Sequence, residues 1–290
     1  MATKYTIKDF NKDFMTEQDC LEYVFQARYG SLEQCIFCGK SASYHKTAQR
    51  KRYKCAHCGN DINPLADTIF HKSSTPLKLW FHAIYLFSVS KNGVSAKELE
   101  RQLGVTYKTA WRMAKQIRKL FEEGFTDKFK GTVEVDETYV GGQRRGKRGR
   151  GAEGKAPVIG VVERNGEVRA KVSLDTKAAS VMPMITDNVE QGARVVTDEY
   201  QSYKRVSLHG FKHDRIKHKS KQYVVGDVHT NTIEGFWSQL KRGINGTYHS
   251  VSPKYLQTYV NEFSFRYNHR KAGPLFPSLL PVAAQLIDFQ

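Results

Sequence analysis

The chain has 290 residues, of which 40% are apolar and 12% aromatic, enough for one large domain with one or two small ones. Its 46 Lys+Arg against 29 Asp+Glu leave a formal charge of +17. That balance excludes an acidic, solvating chain and points to a polyanionic partner, most often nucleic acid.

The opening MATKYTIKDFNKDF is polar, with acids among the bases, and has no secretion-signal pattern. The most apolar stretch, Leu79 to Val89, is too short for a bilayer span and contains His82. The expectation is a cytoplasmic, nucleoid-associated protein with no membrane partner, whose five cysteines are not disulfide staples.

Residues 1–30 carry Phe14, Leu21, Val24 and Phe25 at helical spacing and read as an N-terminal helical segment. Residues 31–62 hold two C-x-x-C-G turns, Cys35-Ile-Phe-Cys38-Gly39 and Cys55-Ala-His-Cys58-Gly59, sixteen residues apart. Zinc takes four soft ligands in a tetrahedron, and two short turns each supply two thiolates. A glycine after each pair lets the backbone fold beneath the metal. Tyr44-His45-Lys46 and Arg52-Tyr53-Lys54 read as short strands of a zinc ribbon around one structural Zn²⁺. Four cysteines complete the site without His45 or His57, and Cys20 is left as a small buried residue. A pair of redox C-x-x-C motifs would need a thioredoxin-like setting, which this segment lacks.

Residues 63–128 are helical, and Ser95 to Lys115 has the layout of a helix-turn-helix. Ser95 caps the first helix and Glu98 completes a capping box; Gly104 suits the turn; Thr106 caps the second helix. Ala110, Met113, Ile117 and Leu120 form its inward face, leaving Tyr107, Lys108, Trp111, Arg112 and Lys115 for a DNA groove. A plain helical hairpin would use the same pattern, with Trp111 in its core.

Residues 129–280 alternate strands and helices. Thr132 to Gly141 is a strand whose alternation puts Glu134, Asp136 and Thr138 on one face. Pro157–Glu163 and Val168–Leu174 are strands joined at Asn165-Gly166. Ala178–Val189 is helical, Ala193–Thr197 is a strand ending at Asp198, Tyr200–Val206 a further helix, Phe211–Lys217 a strand, and Asn231–Arg242 a helix bearing Glu234. The glycines of the run Arg144 to Gly151 predict a mobile basic loop whose Arg144, Arg145, Lys147, Arg148 and Arg150 suit DNA phosphates. The order matches the ribonuclease H-like (retroviral integrase-like) fold, so the chain reads as a multidomain α/β (α+β) protein. In that fold acids at the first strand, the fourth strand's end and a late helix converge.

Between Gln201 and Lys271 there are 13 Lys+Arg and 4 Asp+Glu, 13 − 4 = +9, so Glu234 stands in a strongly basic stretch. A metal-binding role competes with a salt bridge to a neighbouring base. For Asp136 a turn or surface pair is the plainer reading, and for Asp198 a helix cap. Lys241, two turns after Glu234, lies on nearly the same helical face, where an ammonium could hold a DNA phosphate.

These segments resemble the zinc-ribbon-bearing, ISXO-like family of insertion-sequence DDE transposases. The resemblance is carried by the paired C-x-x-C-G turns, Thr68-Ile-Phe-His71 with Trp80-Phe81, Val135-Asp136-Glu137-Thr138-Tyr139-Val140-Gly141-Gly142, and Thr197-Asp198-Glu199-Tyr200. It continues through His229-Thr-Asn231-Thr-Ile-Glu234-Gly-Phe-Trp237-Ser-Gln-Leu-Lys241-Arg-Gly243, Gly246-Thr-Tyr248-His249, and Glu262-Phe-Ser-Phe-Arg266-Tyr-Asn268-His-Arg270. It implies Asp136, Asp198 and Glu234 as ligands of two Mg²⁺ (or Mn²⁺), with Lys241 and Arg242 as DNA contacts. It also implies nicking at inverted-repeat ends, joining of the freed 3′-hydroxyl to target DNA, and a homodimeric or larger synaptic assembly on double-stranded DNA. A non-catalytic regulator would explain residues 31–121 but not the three acids. A nuclease that cuts without joining would share the site.

Overall fold

The structure is a computed structural model that describes residues 4–47, 51–141, 154–216 and 228–286. The basic loop Arg144 to Arg150 therefore lies outside the described residues. The chain forms two compact units. One comprises the described residues of Met1–Ser90, Val94–Leu120 and Ala272–Gln290; the other comprises Lys91–Gly93 and those of Phe121–Lys271.

In the first unit, helices α1 (Ile7–Asp13) and α2 (Glu17–Tyr29) each open on a reciprocal cap, Thr6 with Asp9 and Thr16 with Asp19. Such caps satisfy backbone N–H groups that a helix start leaves unpaired. Helix α3 (Leu77–Val89) has no side-chain cap of its own, and the Glu17 carboxylate substitutes, accepting from the Leu77 and Lys78 amides at 2.7 and 2.9 Å. The small sheet β1 (Tyr44–Lys46), β2 (Tyr53–Cys55) and β3 (Asp61–Ile62) is antiparallel in that order. Tyr53 stacks on Phe25 with ring centroids 3.8 Å apart.

Helices α4 (Ala96–Leu103) and α5 (Tyr107–Arg118) follow, with Gly104 between them. Ser95 and Thr106 cap them as expected. The capping box at Ser95 is only half formed: the Glu98 carboxylate turns to Arg101 and Gln102 along its own helix. The inward face is as read from the spacing, since Ala110, Met113, Ile117 and Leu120 are all buried.

The last helix, α9 (Leu275–Ala284), belongs to this first unit rather than to the segment 129–280. Phe276 packs against Phe10, Phe14 and Tyr85 at 5.7, 6.0 and 5.9 Å. The helix is apolar around most of its girth, so it is driven to a cluster of aromatic side chains that would otherwise stand open.

The second unit is built on a five-stranded sheet of order β6-β5-β4-β7-β8. Its strands are β4 (Thr132–Val140), β5 (Ala156–Glu163), β6 (Val168–Val172), β7 (Arg194–Asp198) and β8 (Lys212–Ile216). The pairs β4–β5 and β5–β6 are antiparallel, and β4–β7 and β7–β8 parallel. Both faces are covered. Val133, Val135, Ile159 and Val161 point into one core with Val181 and Ile185 of α6 (Ala178–Asn188). Val140, Val158 and Val162 point into the other with Ile233, Phe236 and Trp237 of α7 (Asn231–Arg242) and with α8 (Pro253–Asn268). A sheet buried on both faces needs apolar residues at odd and even positions alike, as β5 has.

Tyr200–Val206 is not one helix. It forms 3₁₀ turns at Gln201–Tyr203 and Val206–His209. The tighter winding brings Tyr203 fully into the core, where its hydroxyl donates to Glu137 at 2.6 Å.

Candidate functional site

Two sites are candidates for metals. In the ribbon, the Sγ atoms of Cys35, Cys38, Cys55 and Cys58 all lie within 4.8 Å of one another. Four sulfurs about 2.3 Å from a tetrahedral zinc would be roughly 3.8 Å apart, and Cys35 and Cys58 are at 3.9 Å. Amides aim at the sulfurs, from Phe37 to Cys35 at 3.5 Å and from His57 to Cys55 at 3.4 Å. Gly39 and Gly59 adopt φ +67° and +74°, the left-handed conformation that closes each turn without a Cβ penalty. Donor chemistry and spacing fit a structural Zn²⁺.

The second site is an open cleft of about 770 Å³ beside α7, lined by Asp136, Glu234, Trp237, Lys241 and Arg242 among others. Asp136 comes from β4 and is half-buried. On the parallel neighbour β7, the register pairs Thr132 with Arg194, Val133 with Val195 and Glu134 with Val196. Continued two residues past the paired stretch, that offset of 62 would bring Asp198, at the end of β7, level with Asp136 (198 − 136 = 62). Asp198 is near enough for its charge to act on the Asp136 carboxyl.

Asp136 reports that crowding. Its carboxyl is pushed up to about 7, chiefly by burial and then by the negative charges of Glu137 and Asp198. A cation would relieve that cost, and carboxylate oxygens at the mouth of an open cleft are the donors that Mg²⁺ or Mn²⁺ prefers.

The acids are held by specific contacts. Asp198 Oδ1 accepts from the Tyr200 amide at 2.9 Å. Asp136 Oδ2 accepts from the Trp237 indole at 3.1 Å, and Glu234 Oε1 from the Thr230 hydroxyl at 2.8 Å. Asp136 and Glu234 share the cleft wall, with Asp198 at the neighbouring strand end. Among the described residues, only the four cysteines form a ready-made set of metal-binding atoms; the three acids are more widely set. Lys241 is exposed beside them, its ammonium lowered by burial of its stem and by Lys155, with Asp136 acting the other way.

Two segments match sequence profiles of known families: residues 128–268 match the ISXO2-like transposase domain and residues 15–61 the transposase zinc-ribbon domain. The chain belongs to the ISXO2-like transposases. A curated protein of the transposable element ISH50 from Halobacterium salinarum, itself uncharacterised, is 27% identical over 88% of this chain and 92% of its own length. An uncharacterised transposase-like protein of Haemophilus influenzae is 26% identical over 33% of this chain and 76% of its own. Among solved structures, a chain of a pre-cleavage Mos1 transpososome covers 72% of this chain and 80% of its own at 10% identity, with a TM-score of only 0.28.

In this ISXO2-like transposase, Lys108 and Lys115 of α5 are exposed, and Lys97 and Lys115 lie over the rings of Tyr107 and Trp111. Trp111 is partly exposed rather than core. Arg112 is half-buried and donates to the His71 carbonyl at 2.7 Å, which ties it to the fold. Arg242 joins Lys241 at the cleft. Among the described residues no helix is long and apolar enough to cross a membrane.

Sequence reasoning places Glu134 on the strand's Asp136 face but gives it no role. It lies on the Asp136 face of β4 but is fully buried, and its carboxylate accepts from the Thr232 and Ile233 amides at 2.8 and 3.0 Å. Arg164 Nε donates to it at 2.8 Å and the Thr232 hydroxyl at 2.8 Å. It therefore caps α7 from the sheet face beneath it and seats the helix that carries Glu234. The signal was present in principle: a helix opening Thr-Asn-Thr-Ile has no acid within its first three residues to meet its own amides.

Proposed function

We propose that this transposase cuts DNA at the ends of its element and joins the freed 3′-hydroxyl to target DNA, using Asp136, Asp198 and Glu234 to hold divalent cations. The observation that carries this reading is that Asp136 shares the cleft with Glu234 and feels the charge of Asp198 from the adjacent parallel strand. Three antiparallel strands followed by two parallel ones, with helices on both faces, support a ribonuclease H-like fold for the unit. Bound Mg²⁺ would activate the attacking oxygen and stabilise the leaving one.

The chain's own residues supply the rest. Lys241 and Arg242 face the cleft as cations for the scissile strand's phosphates, and Ser238 and Asn245 add polar lining for its backbone. The α4–α5 pair is read as a helix-turn-helix with Lys108 and Lys115 toward phosphates, while the Arg112 guanidinium, held at His71, serves the fold first. Arg144, Arg145, Lys147, Arg148 and Arg150 are assigned to DNA on their charge. Two element ends call for a homodimer or larger assembly on DNA.

The test is to incubate the zinc-loaded protein with DNA carrying the element's flanking ends, with and without Mg²⁺. Mg²⁺-dependent nicks and joined products are expected. Nicks without joined products would make it a nuclease; specific binding with neither would favour a regulator.

A further inference from the structure

We propose that Trp237 is a positioning residue for Asp136: its indole N–H fixes which oxygen of that carboxylate faces the cleft. The proposal rests on the reading of Asp136 as a metal ligand. Trp237 is only 4% exposed, so its N–H needs a partner inside the fold. It takes Asp136 Oδ2, at 3.1 Å. The terminal torsion of an aspartate is broad and twofold, so a carboxylate without such a contact samples several orientations. The indole N–H on Oδ2, acting beside the backbone amide of Glu137, breaks that symmetry and favours Oδ1 as the oxygen to turn toward a cation. Ligating carboxylates commonly carry such a supporting hydrogen bond.

The contact is built by three elements. Asp136 stands opposite Gly160 in the β4–β5 register. A Cβ at Gly160 would lie 2.6 Å from Trp237 Cη2 and 2.7 Å from Cζ2, with Ile233 Cδ1 at 3.0 Å. The bare strand at Gly160 is thus what lets the indole lie down on the sheet and reach the neighbouring strand's acid. Trp237 also follows Glu234 by three residues, nearly one helical turn. The helix that carries the third acid therefore grips the first, and the spacing of Glu234 and Asp136 is set by one rigid piece. A tryptophan packed only for its bulk would need the glycine beneath it but not the acid at its N–H.

The test uses the full-length, zinc-loaded protein and measures Mn²⁺ binding directly, by the spin-resonance signal of free Mn²⁺ during titration. The parent chain is compared with Trp237→Phe, with Gly160→Ala, and with a chain carrying benzothienylalanine at position 237, which replaces the N–H by sulfur and keeps the ring's shape. Asp136→Asn identifies the site being titrated. All three changes are expected to weaken Asp136-dependent Mn²⁺ binding by roughly tenfold or more, with the benzothienyl variant unfolding at the parent's temperature. Unchanged Mn²⁺ affinity in the benzothienyl variant overturns the role of Trp237 and leaves the metal site standing. If the parent chain has no Mn²⁺ site that Asp136→Asn removes, the metal reading of the cleft falls and this proposal falls with it.

Discussion

The ribbon and the cleft are both candidate metal centres, built in opposite ways. The ribbon's ligands fall within one short segment, Cys35 to Cys58, on tight turns beside strands of two or three residues, and its sulfurs already lie together. The cleft's acids are spread from Asp136 to Glu234 and are brought near one another only by a sheet with a buried core on each face. A site made of local turns has little apolar area to fold on, so metal binding and folding are one event there. A site mounted on a packed sheet is folded first, and its carboxylates carry an electrostatic cost until a cation arrives.

That contrast can be broken most directly at the ribbon. Zinc removal, or Cys35→Ser, is expected to forfeit a binding free energy on the order of 10 kcal/mol and to unfold residues 35–62 while the sheet of the second unit keeps its unfolding temperature. Metal analysis should find one zinc per parent chain, and hydrogen exchange should find Tyr44–Lys46 and Tyr53–Cys55 unprotected in the variant. Protected ribbon amides in zinc-free protein would mean that the ribbon, too, is folded before its metal.

In the cleft the expected pattern is reversed. Asp136→Asn, Asp198→Asn and Glu234→Gln should each lose about 10⁴-fold or more in strand cleavage, with double variants little worse than singles, because the acids act as a unit. Folding and binding to element-end DNA should persist. A variant that melts the unit, yet cleaves normally in the cold, would put that acid in the frame instead of the site.

The cost of burying and crowding these carboxylates is also measurable. Asp136 titrates near 7 in the folded chain against an ordinary 3.8. A folded value above the unfolded one means that the folded state holds the proton more tightly. Stability therefore falls as pH rises from about 4 to 7 and then levels, by roughly 4 kcal/mol at 1.36 kcal/mol per unit. Urea unfolding in Mg²⁺-free buffer should show the second unit weaker at pH 8 than at pH 5. Asp136→Asn should flatten that slope and stabilise the unit at pH 8, and Mg²⁺ should do the same for the parent. A pH-independent parent would mean that Asp136 is not crowded by its neighbours.

Sequence made the ribbon legible because its chemistry is local: C-x-x-C-G names both ligands and the left-handed turn that follows. The strands of the second unit were legible through alternation, and their order suggested where acids would converge. What stayed hidden is what depends on three-dimensional partners. Glu98 had the spacing of a capping box, but Arg101 and Gln102 lie one helical turn away and compete for it. Tyr200–Val206 had helical composition, but burial of Tyr203 at Glu137 favoured two tight turns. The apolar run Leu275–Ala284 looked like the tail of the catalytic segment, and nothing local says that its aromatic partners are Phe10 and Phe14. Gly160 lies inside the strand read at Pro157–Glu163, and nothing local says that the indole of Trp237 lies against it.

The finest test of the contrast lies between two acids that alternation alone cannot separate, Glu134 and Asp136. Both sit on one face of β4, yet Glu134 is sealed within the fold and capped by backbone amides, while Asp136 opens on the cleft. Glu134→Gln keeps an oxygen for the Thr232 and Ile233 amides but turns an NH₂ toward the Arg164 guanidinium and the Thr232 hydroxyl, where a charge had been. Loss of a charged acceptor in that setting should cost about 2–3 kcal/mol of stability in the second unit. Cleavage measured in the cold should stay within a few-fold of the parent, since α7 is still seated. Asp136→Asn should do the reverse, gaining stability at pH 8 and losing cleavage. If Glu134→Gln left stability intact and abolished cleavage, Glu134 would be the metal-binding acid of the first strand, and the nearness of Asp198 to Asp136 would lose its functional meaning.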